Sequence, residues 1–248
     1  MKKMVFTYFI LLSFLCAAEI SIAVAANVSY AIKPLVAAFH VKYPNTKVDV
    51  ILGSSGKLSA QIIHGAPYDV FMSADMKFPK RLRKEHLTVG HPVVYAYGAL
   101  AILSQKKRNY CAEIFVLKSP DIHKIAIANP KTAPYGVASI EALKHARLYE
   151  KLKNKFVYGE SIAQTFIYAT SAADIGIVAK SALYAPQMKE YKEAIHWSEI
   201  DETRYTPIAQ GMVLLKRAKD NVKAKAFYDF MLSQKAKEIL KQFGYKTL

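Results

Sequence analysis

The sequence predicts an α/β fold in which strands and helices alternate along most of the chain. Short apolar runs of strand length recur, and stretches with an apolar spacing near 3.6 residues lie between them. No internal repeat, low-complexity segment or Gly/Ser-rich linker interrupts the series. Strands that alternate with helices of this length form βαβ units, so we expect largely parallel sheets. A chain of 248 residues is long enough for one large domain or two small ones.

The predicted elements run in order from the first apolar segment to the carboxyl end. Strands are predicted at 20–24, 47–52, 69–72, 100–104, 124–128, 155–158, 174–178 and 208–215. Helices are predicted at 34–42, 57–64, 77–85, 135–153, 162–169, 221–232 and 236–243. Pro34 lacks an N–H and therefore suits the first residue of its helix. The segment 27–33 before it is then a loop at the carboxyl end of a strand, where open α/β sheets bind ligands.

The amino terminus has the features of a secretory signal peptide. MKK is followed by the apolar run MVFTYFILLSFLCAA, which is too short for a confident membrane span. Cleavage after Ala18 is preferred, because a cut after Ala25 would also remove EISIAVA, the first predicted strand. Residues 1–18 are therefore expected to be removed, and the mature protein to be exported and soluble.

Charge and cysteine content narrow the range of partners. The formal charge is +16, but the basic residues are spread over the chain without zinc-finger spacing or an aromatic RNA-binding motif. We therefore expect no nucleic-acid partner. Cleavage leaves Cys111 as a single cysteine, which cannot form an internal disulfide and is expected to be buried. The histidines have no metal-ligand spacing, and no metal site is expected.

The segment GSSGK, residues 53–57, follows one predicted strand and precedes a helix. Ser54-x-x-Lys57 matches the pattern of serine acyl-enzymes, with Ser54 or Ser55 as the nucleophile, but the other motifs of that class are missing. A P-loop would need glycine where Ile51 stands. Helix capping by one of the serines is a purely structural alternative.

The remaining interpretation of GSSGK is a cradle for an anion. Gly53 and Gly56 would allow backbone angles that turn amide groups inward, and the helix start would supply unpaired N–H groups beside the serine hydroxyls. Three further junctions between a strand and a helix carry small or polar donors. They are Asn27-Val28-Ser29, Tyr135-Gly136 after Pro134, and Glu160-Ser161-Ile162.

Several segments together resemble one family. They are AANVSYAIKPL, GSSGKLSAQIIHGAPYDVFMSAD, IAIANPKTAPYG, ESIAQTF, DIGIVAKSAL and AKAFYDFMLSQKAKEILKQFGY, in the family's order and approximate spacing. From Ile20 to Tyr245 the chain is similar to the molybdate-binding proteins of bacterial ABC uptake systems. The resemblance implies a type II periplasmic binding fold, in which two α/β lobes are joined by two crossover segments with a ligand cleft between them. The lobes would comprise residues 19–100 plus 206–248, and residues 101–205.

The resemblance also implies how the ligand is held. The donor of the first loop falls on Asn27, a hydroxyl and an amide on Ser55, and backbone amides of the opposite lobe on Tyr135 and Ile162. Ser54 and Val28 are additional candidates. Some members add a tyrosine where this chain has Ala179, so that contact is absent here or supplied by another group.

The function implied is a periplasmic protein that is not an enzyme. It would bind molybdate, and also tungstate, as a monomer and deliver the anion to the membrane permease of an ABC transporter. Apart from that ligand, no cofactor or bare metal cation is implied. A binding protein for sulfate or another small tetrahedral oxyanion is the alternative, and a secreted serine acyl-enzyme is a remote one.

Overall fold

The computed structural model describes residues 18–248, which form two α/β lobes with a five-stranded sheet in each. The predicted signal peptide lies outside these residues, except for Ala18, which begins the first strand. Within the described part of the chain, no helix combines the length and the apolar character needed to cross a bilayer.

The first lobe contains strands from both ends of the described chain. Its strands are β1 (Ala18–Ala25), β2 (Thr46–Gly53), β3 (Val70–Ser73), β4 (Thr88–Gly98) and β10 (Ile208–Leu215), in the order β2-β1-β3-β10-β4. Its helices are α1 (Ile32–Lys42), α2 (Ser55–Ile63), α3 (Lys77–Lys84), α7 (Val222–Met231) and α8 (Gln234–Gln242). β1 is parallel to both β2 and β3, so the three strands end at the same edge of the sheet.

The second lobe is built from the middle of the chain. Its strands are β5 (Leu100–Leu103), β6 (Ile125–Ala128), β7 (Phe156–Gly159), β8 (Ile175–Ala179) and β9 (Trp197–Glu199), in the order β7-β6-β8-β5-β9. Its helices are α4 (Pro134–His145), α5 (Tyr149–Leu152) and α6 (Ile162–Ala169). β6 is parallel to β7 and β8, which places the loops before α4 and α6 at one edge.

The chain passes between the two sheets twice. Gly98 ends a strand of the first sheet and Leu100 begins a strand of the second, so the first passage is a single residue, Ala99. The return lies between Glu199 and Ile208. The domain boundaries expected at residues 100 and 206 stay a prediction, and they fall close to these two passages.

Each predicted strand overlaps an observed one, but two strands were not predicted. β4 contains Gly90 and Pro92, which argue against a strand, and β9 has three residues. Both are edge strands, where proline and short pairing are tolerated because one side of the strand needs no partner.

Three local expectations were wrong. The helix predicted at 135–153 is divided, because Arg147 adopts a left-handed conformation with φ of 56° between α4 and α5. Pro34 is the third residue of α1 rather than its first, although it still lies in the first turn, where its missing N–H breaks no hydrogen bond. Cys111 is exposed rather than buried, because it lies in a turn before the short 3-10 helix Glu113–Lys118.

Candidate functional site

A small cavity lies between the lobes, where the parallel strands of both sheets give way to helices. Asn27, Ser54, Ser55, Tyr135 and Ile162 all line it, so the structure brings together residues that the sequence placed at four separate junctions. The volume that the centre of a water molecule can occupy in this cavity is about 10 Å³, so the lining groups lie close to one another. Val28 is not among the lining residues, because its side chain packs in the core of the first lobe.

Three helices start at this cavity. Ser55 is the first residue of α2, Tyr135 the second of α4 and Ile162 the first of α6. N–H groups in the first turn of an α-helix have no partner within the helix, and the helix dipole adds partial positive charge there. The helix predicted to begin near Lys57 starts two residues earlier, which brings the Ser55 N–H into this first turn. The arrangement suits an anion.

The hydroxyl of Ser55 is oriented by the loop that follows β3. Its Oγ accepts a hydrogen bond from the backbone N–H of Ala74 at 2.9 Å. Because the oxygen acts as acceptor in that bond, the hydroxyl proton is available for another partner. Ser55 is buried. It therefore offers a fixed hydroxyl donor beside its own N–H.

Asn27 is held by a buried polar network that the sequence did not predict. Its Nδ2 donates to Gln210 Oε1 and to Tyr245 Oη, each at 2.8 Å. Gln210 Nε2 donates to the carbonyl of Ile208, which leaves Gln210 Oε1 as an acceptor and fixes the orientation of both amides. Both side-chain N–H groups of Asn27 are thus used within the protein. Toward a ligand, Asn27 can donate through its backbone N–H.

The backbone carbonyl of Asn27 is anchored as well. It accepts hydrogen bonds from Tyr245 Oη and from Ser181 Oγ, each at 2.8 Å. Ser181 belongs to the second lobe and lies two residues after Ala179, which is buried and is not among the residues that line the cavity. The Ser181 hydroxyl thus links the second lobe to the loop that follows β1. Residues so distant in sequence give no local signal of this contact.

Gly56 has a different role from the one predicted. Neither Gly53 nor Gly56 has a positive φ, so inward-turning backbone angles do not explain them. Instead, the Gly56 N–H donates to the Thr132 carbonyl of the second lobe at 2.9 Å. A Cβ at position 56 would lie 3.0 Å from the Thr132 backbone. Glycine at this position lets the two lobes touch across the cleft.

Lys57 forms an ion pair across the same cleft. Its Nζ lies 2.9 Å from Glu160 Oε1, and the two side chains are 56% and 58% exposed. An acyl-enzyme would need this amine beside a serine hydroxyl, but the amine pairs with Glu160, and the Ser54 hydroxyl has no hydrogen-bond partner in the part of the chain that the structure describes. The structure gives no support to that alternative.

The described residues that line the cavity are uncharged. Among residues 18–248, no Asp, Glu, Lys, Arg or His lines it, and none of the clusters of His, Cys, Asp or Glu that suit a metal ion is present. Burial raises the pKa of the Tyr135 and Tyr245 hydroxyls and raises that of Tyr205 to about 12, so all three stay protonated at neutral pH. No phenolate charge therefore opposes an anion.

The ring of Tyr135 reaches from α4 to the hinge, which is the first passage of the chain between the lobes at Gly98 and Ala99. It is 1% exposed, and its hydroxyl lies beside the Asn27 side chain. A Cβ at Gly98, the last residue before the first passage, would collide with that hydroxyl. Tyr135 therefore has an N–H at the cavity and a ring at the hinge, and the hinge depends on glycine at position 98.

Comparison with known proteins identifies the family of the chain and several of its relatives. Residues 20–246 match the family described as bacterial extracellular solute-binding protein. The chain is 38% identical over 231 residues to the molybdate-binding protein ModA of Azotobacter vinelandii, which covers 92% of this chain and 90% of that protein. It is also 38% identical over 233 residues to ModA of Rhodobacter capsulatus, covering 93% and 89%. The solved periplasmic molybdate-binding protein of Azotobacter vinelandii has a TM-score of 0.84 at 32% identity, covering 92% of this chain and 99% of that one.

Gly98→Ala should destabilise the protein through its collision with Tyr135. Overpacking of this kind costs about 1–3 kcal/mol, which in a chain of this size lowers the melting midpoint by roughly 2–12 °C. Tyr135→Phe removes the colliding oxygen, so adding it to Gly98→Ala should recover part of the loss. Calorimetric melting of the ligand-free variants measures both effects. If the double variant melts no higher than Gly98→Ala, the hydroxyl is not what position 98 must avoid.

Proposed function

The chain belongs to the bacterial extracellular solute-binding protein family, and from this premise we propose that it captures molybdate for the permease of an ABC transporter. The relatives that are 38% identical to it carry the name of molybdate-binding proteins. We further propose that tungstate binds at the same site, since it is an oxyanion of the same shape and charge. No bare metal cation or cofactor takes part.

The observation that carries the proposal is the convergence of neutral donors from both lobes. The first lobe supplies the N–H and hydroxyl of Ser55 and the N–H of Asn27, and the second supplies the N–H groups of Tyr135 and Ile162. A hydrogen bond to a charged group is worth about 1.5–3 kcal/mol. Several such bonds acting together offset the cost of taking a doubly charged anion out of water without a counter-charge.

Capture then follows from closure of the cleft. Donors on separate lobes can contact one anion at the same time only when the lobes approach, so the ligand favours the closed arrangement. The Gly56–Thr132 hydrogen bond and the Lys57–Glu160 ion pair belong to that arrangement, because each joins the two lobes. Opening breaks these contacts, separates the donors of one lobe from those of the other and releases the anion.

Selectivity follows from the kind of group that the site presents. The groups assigned to the ligand are N–H and O–H donors. Hydrogen phosphate carries a proton that would face one of these donors, so it should bind poorly. Sulfate has the same charge as molybdate and no proton, so only the size of the cavity can exclude it. A binding protein for sulfate or another small oxyanion is therefore the alternative to test.

The setting in which the protein works is part of the proposal. The family is extracellular by its description, and the basic and apolar residues 1–18 suit a signal peptide that directs export to the periplasm. The protein would act there as a monomeric carrier and not as an enzyme. The permease would be its membrane partner.

Molybdate should raise the thermal stability of the protein. A ligand that binds only the folded state adds about 2.7 kcal/mol at 100 times its dissociation constant. Each kcal/mol raises the midpoint by roughly 2–4 °C in a chain of this size, so we expect a rise of about 5–11 °C in differential scanning calorimetry. Phosphate at the same concentration is the control and should give no comparable rise. Absence of a shift with both molybdate and tungstate would refute the proposed function.

Lys57→Ala should change molybdate affinity only slightly. The lysine pairs with Glu160 near the surface, and an exposed ion pair is worth at most about 1 kcal/mol, or roughly a fivefold change in affinity. Lys47→Ala is the matched control, because Lys47 forms an exposed ion pair with Glu19 within the first lobe alone. A loss beyond about 100-fold for Lys57→Ala alone would mean that the lysine contacts the anion and that the site is not neutral.

A further inference from the structure

We propose that the hydroxyl of Ser54 is a direct hydrogen-bond donor to the bound oxyanion, in addition to Ser55. This inference rests on the proposed function, because it assigns a further contact within the same cavity. Ser54 lines that cavity and is 4% exposed.

The side chain of Ser54 does not cap α2. It is the residue immediately before α2, with φ of −69° and ψ of 145°, which is the usual conformation of an N-cap residue. A serine there normally accepts a hydrogen bond from a backbone N–H in the first turn. Ser161 accepts from the Gln164 N–H before α6, and Ser233 accepts from the Ala236 N–H before α8. Ser54 makes no such bond.

The Ser54 hydroxyl is also buried without a hydrogen-bond partner among residues 18–248. Burying a hydroxyl without a partner costs free energy, and such atoms are uncommon in folded proteins. An anion in the cavity would provide the missing acceptor. Ser54 would then make a hydrogen bond to the ligand in place of the capping hydrogen bond to its own helix.

The two adjacent serines would act in different ways. Ser55 Oγ is oriented by the N–H of Ala74, whereas no hydrogen bond fixes the hydroxyl of Ser54. The Ser54 hydroxyl can therefore turn toward whichever ligand oxygen is nearest. Both hydroxyls have a proton to donate, so the pair favours a ligand with no proton of its own.

Ser59, which lies within α2, provides a matched control. Among the described residues its hydroxyl is also buried and without a partner, but Ser59 does not line the cavity. Ser54→Ala and Ser59→Ala therefore each remove a buried hydroxyl, one just before α2 at the cavity and one within α2 away from it. Only the first should affect binding.

The experiment is calorimetric titration of Ser54→Ala, Ser55→Ala and Ser59→Ala with molybdate, together with melting of the ligand-free proteins. We expect Ser54→Ala to bind about 10- to 150-fold more weakly, and Ser59→Ala to stay within about twofold of the parent, a change of under half a kcal/mol. The ligand-free Ser54→Ala protein should melt no lower than the parent, because the hydroxyl it loses has no partner to leave behind.

Two outcomes would overturn the inference while leaving the proposed function standing. One is a Ser54→Ala protein that binds within about twofold of the parent while Ser55→Ala is clearly weakened. The other is weaker binding together with a lower melting midpoint in the ligand-free Ser54→Ala protein, which would show a structural role. A parent protein that does not bind molybdate would instead overturn the proposed function, and this inference with it.

Discussion

The proposed function depends on one physical constraint, which is that a doubly charged anion must be buried without a counter-charge. Each N–H or hydroxyl that contacts it must come from a group with no better partner. The first turns of α2, α4 and α6 meet this requirement, because helix geometry leaves their N–H groups free. No single lobe has all of these helix starts. A site that uses all of these donors must therefore lie in the cleft between the two lobes.

Much of the surrounding structure keeps these donors in place. Gln210, Tyr245 and Ser181 fix the side chain and carbonyl of Asn27, so that its remaining N–H has a defined direction. These residues come from β10, the carboxyl end and the second lobe. Gly56 and Gly98 permit the close approach of the lobes at the cleft and of Tyr135 at the hinge. Rigid support of this kind lowers the cost of ordering the site when a ligand binds.

The sequence predicted those parts of the structure that depend on local pattern. The spacing of apolar residues predicted every strand of the two sheets except β4 and β9. The polar residues between strands and helices predicted several of the residues that line the cavity. The sequence did not predict β4, because Gly90 and Pro92 argue against a strand. The strand forms because long-range pairing with β10 stabilises it at the edge of the sheet. The sequence also missed the network around Asn27, where Gln210 and Tyr245 are 183 and 218 residues away. From the sequence, Gly56 was expected to be needed for its backbone angles. The structure shows instead that a Cβ at position 56 would come too close to the Thr132 backbone across the cleft.

The most direct test of the central claim is a calorimetric titration of molybdate into the protein in the presence of excess sulfate and phosphate. If neutral donors in a cavity of fixed size select the anion, one molybdate should bind per chain, and its apparent affinity should fall little in either competitor. Tungstate should compete with molybdate at the same site. If excess sulfate abolishes the molybdate signal, the site distinguishes anions by charge and shape but not by size. The alternative of a sulfate carrier would then replace the function proposed here.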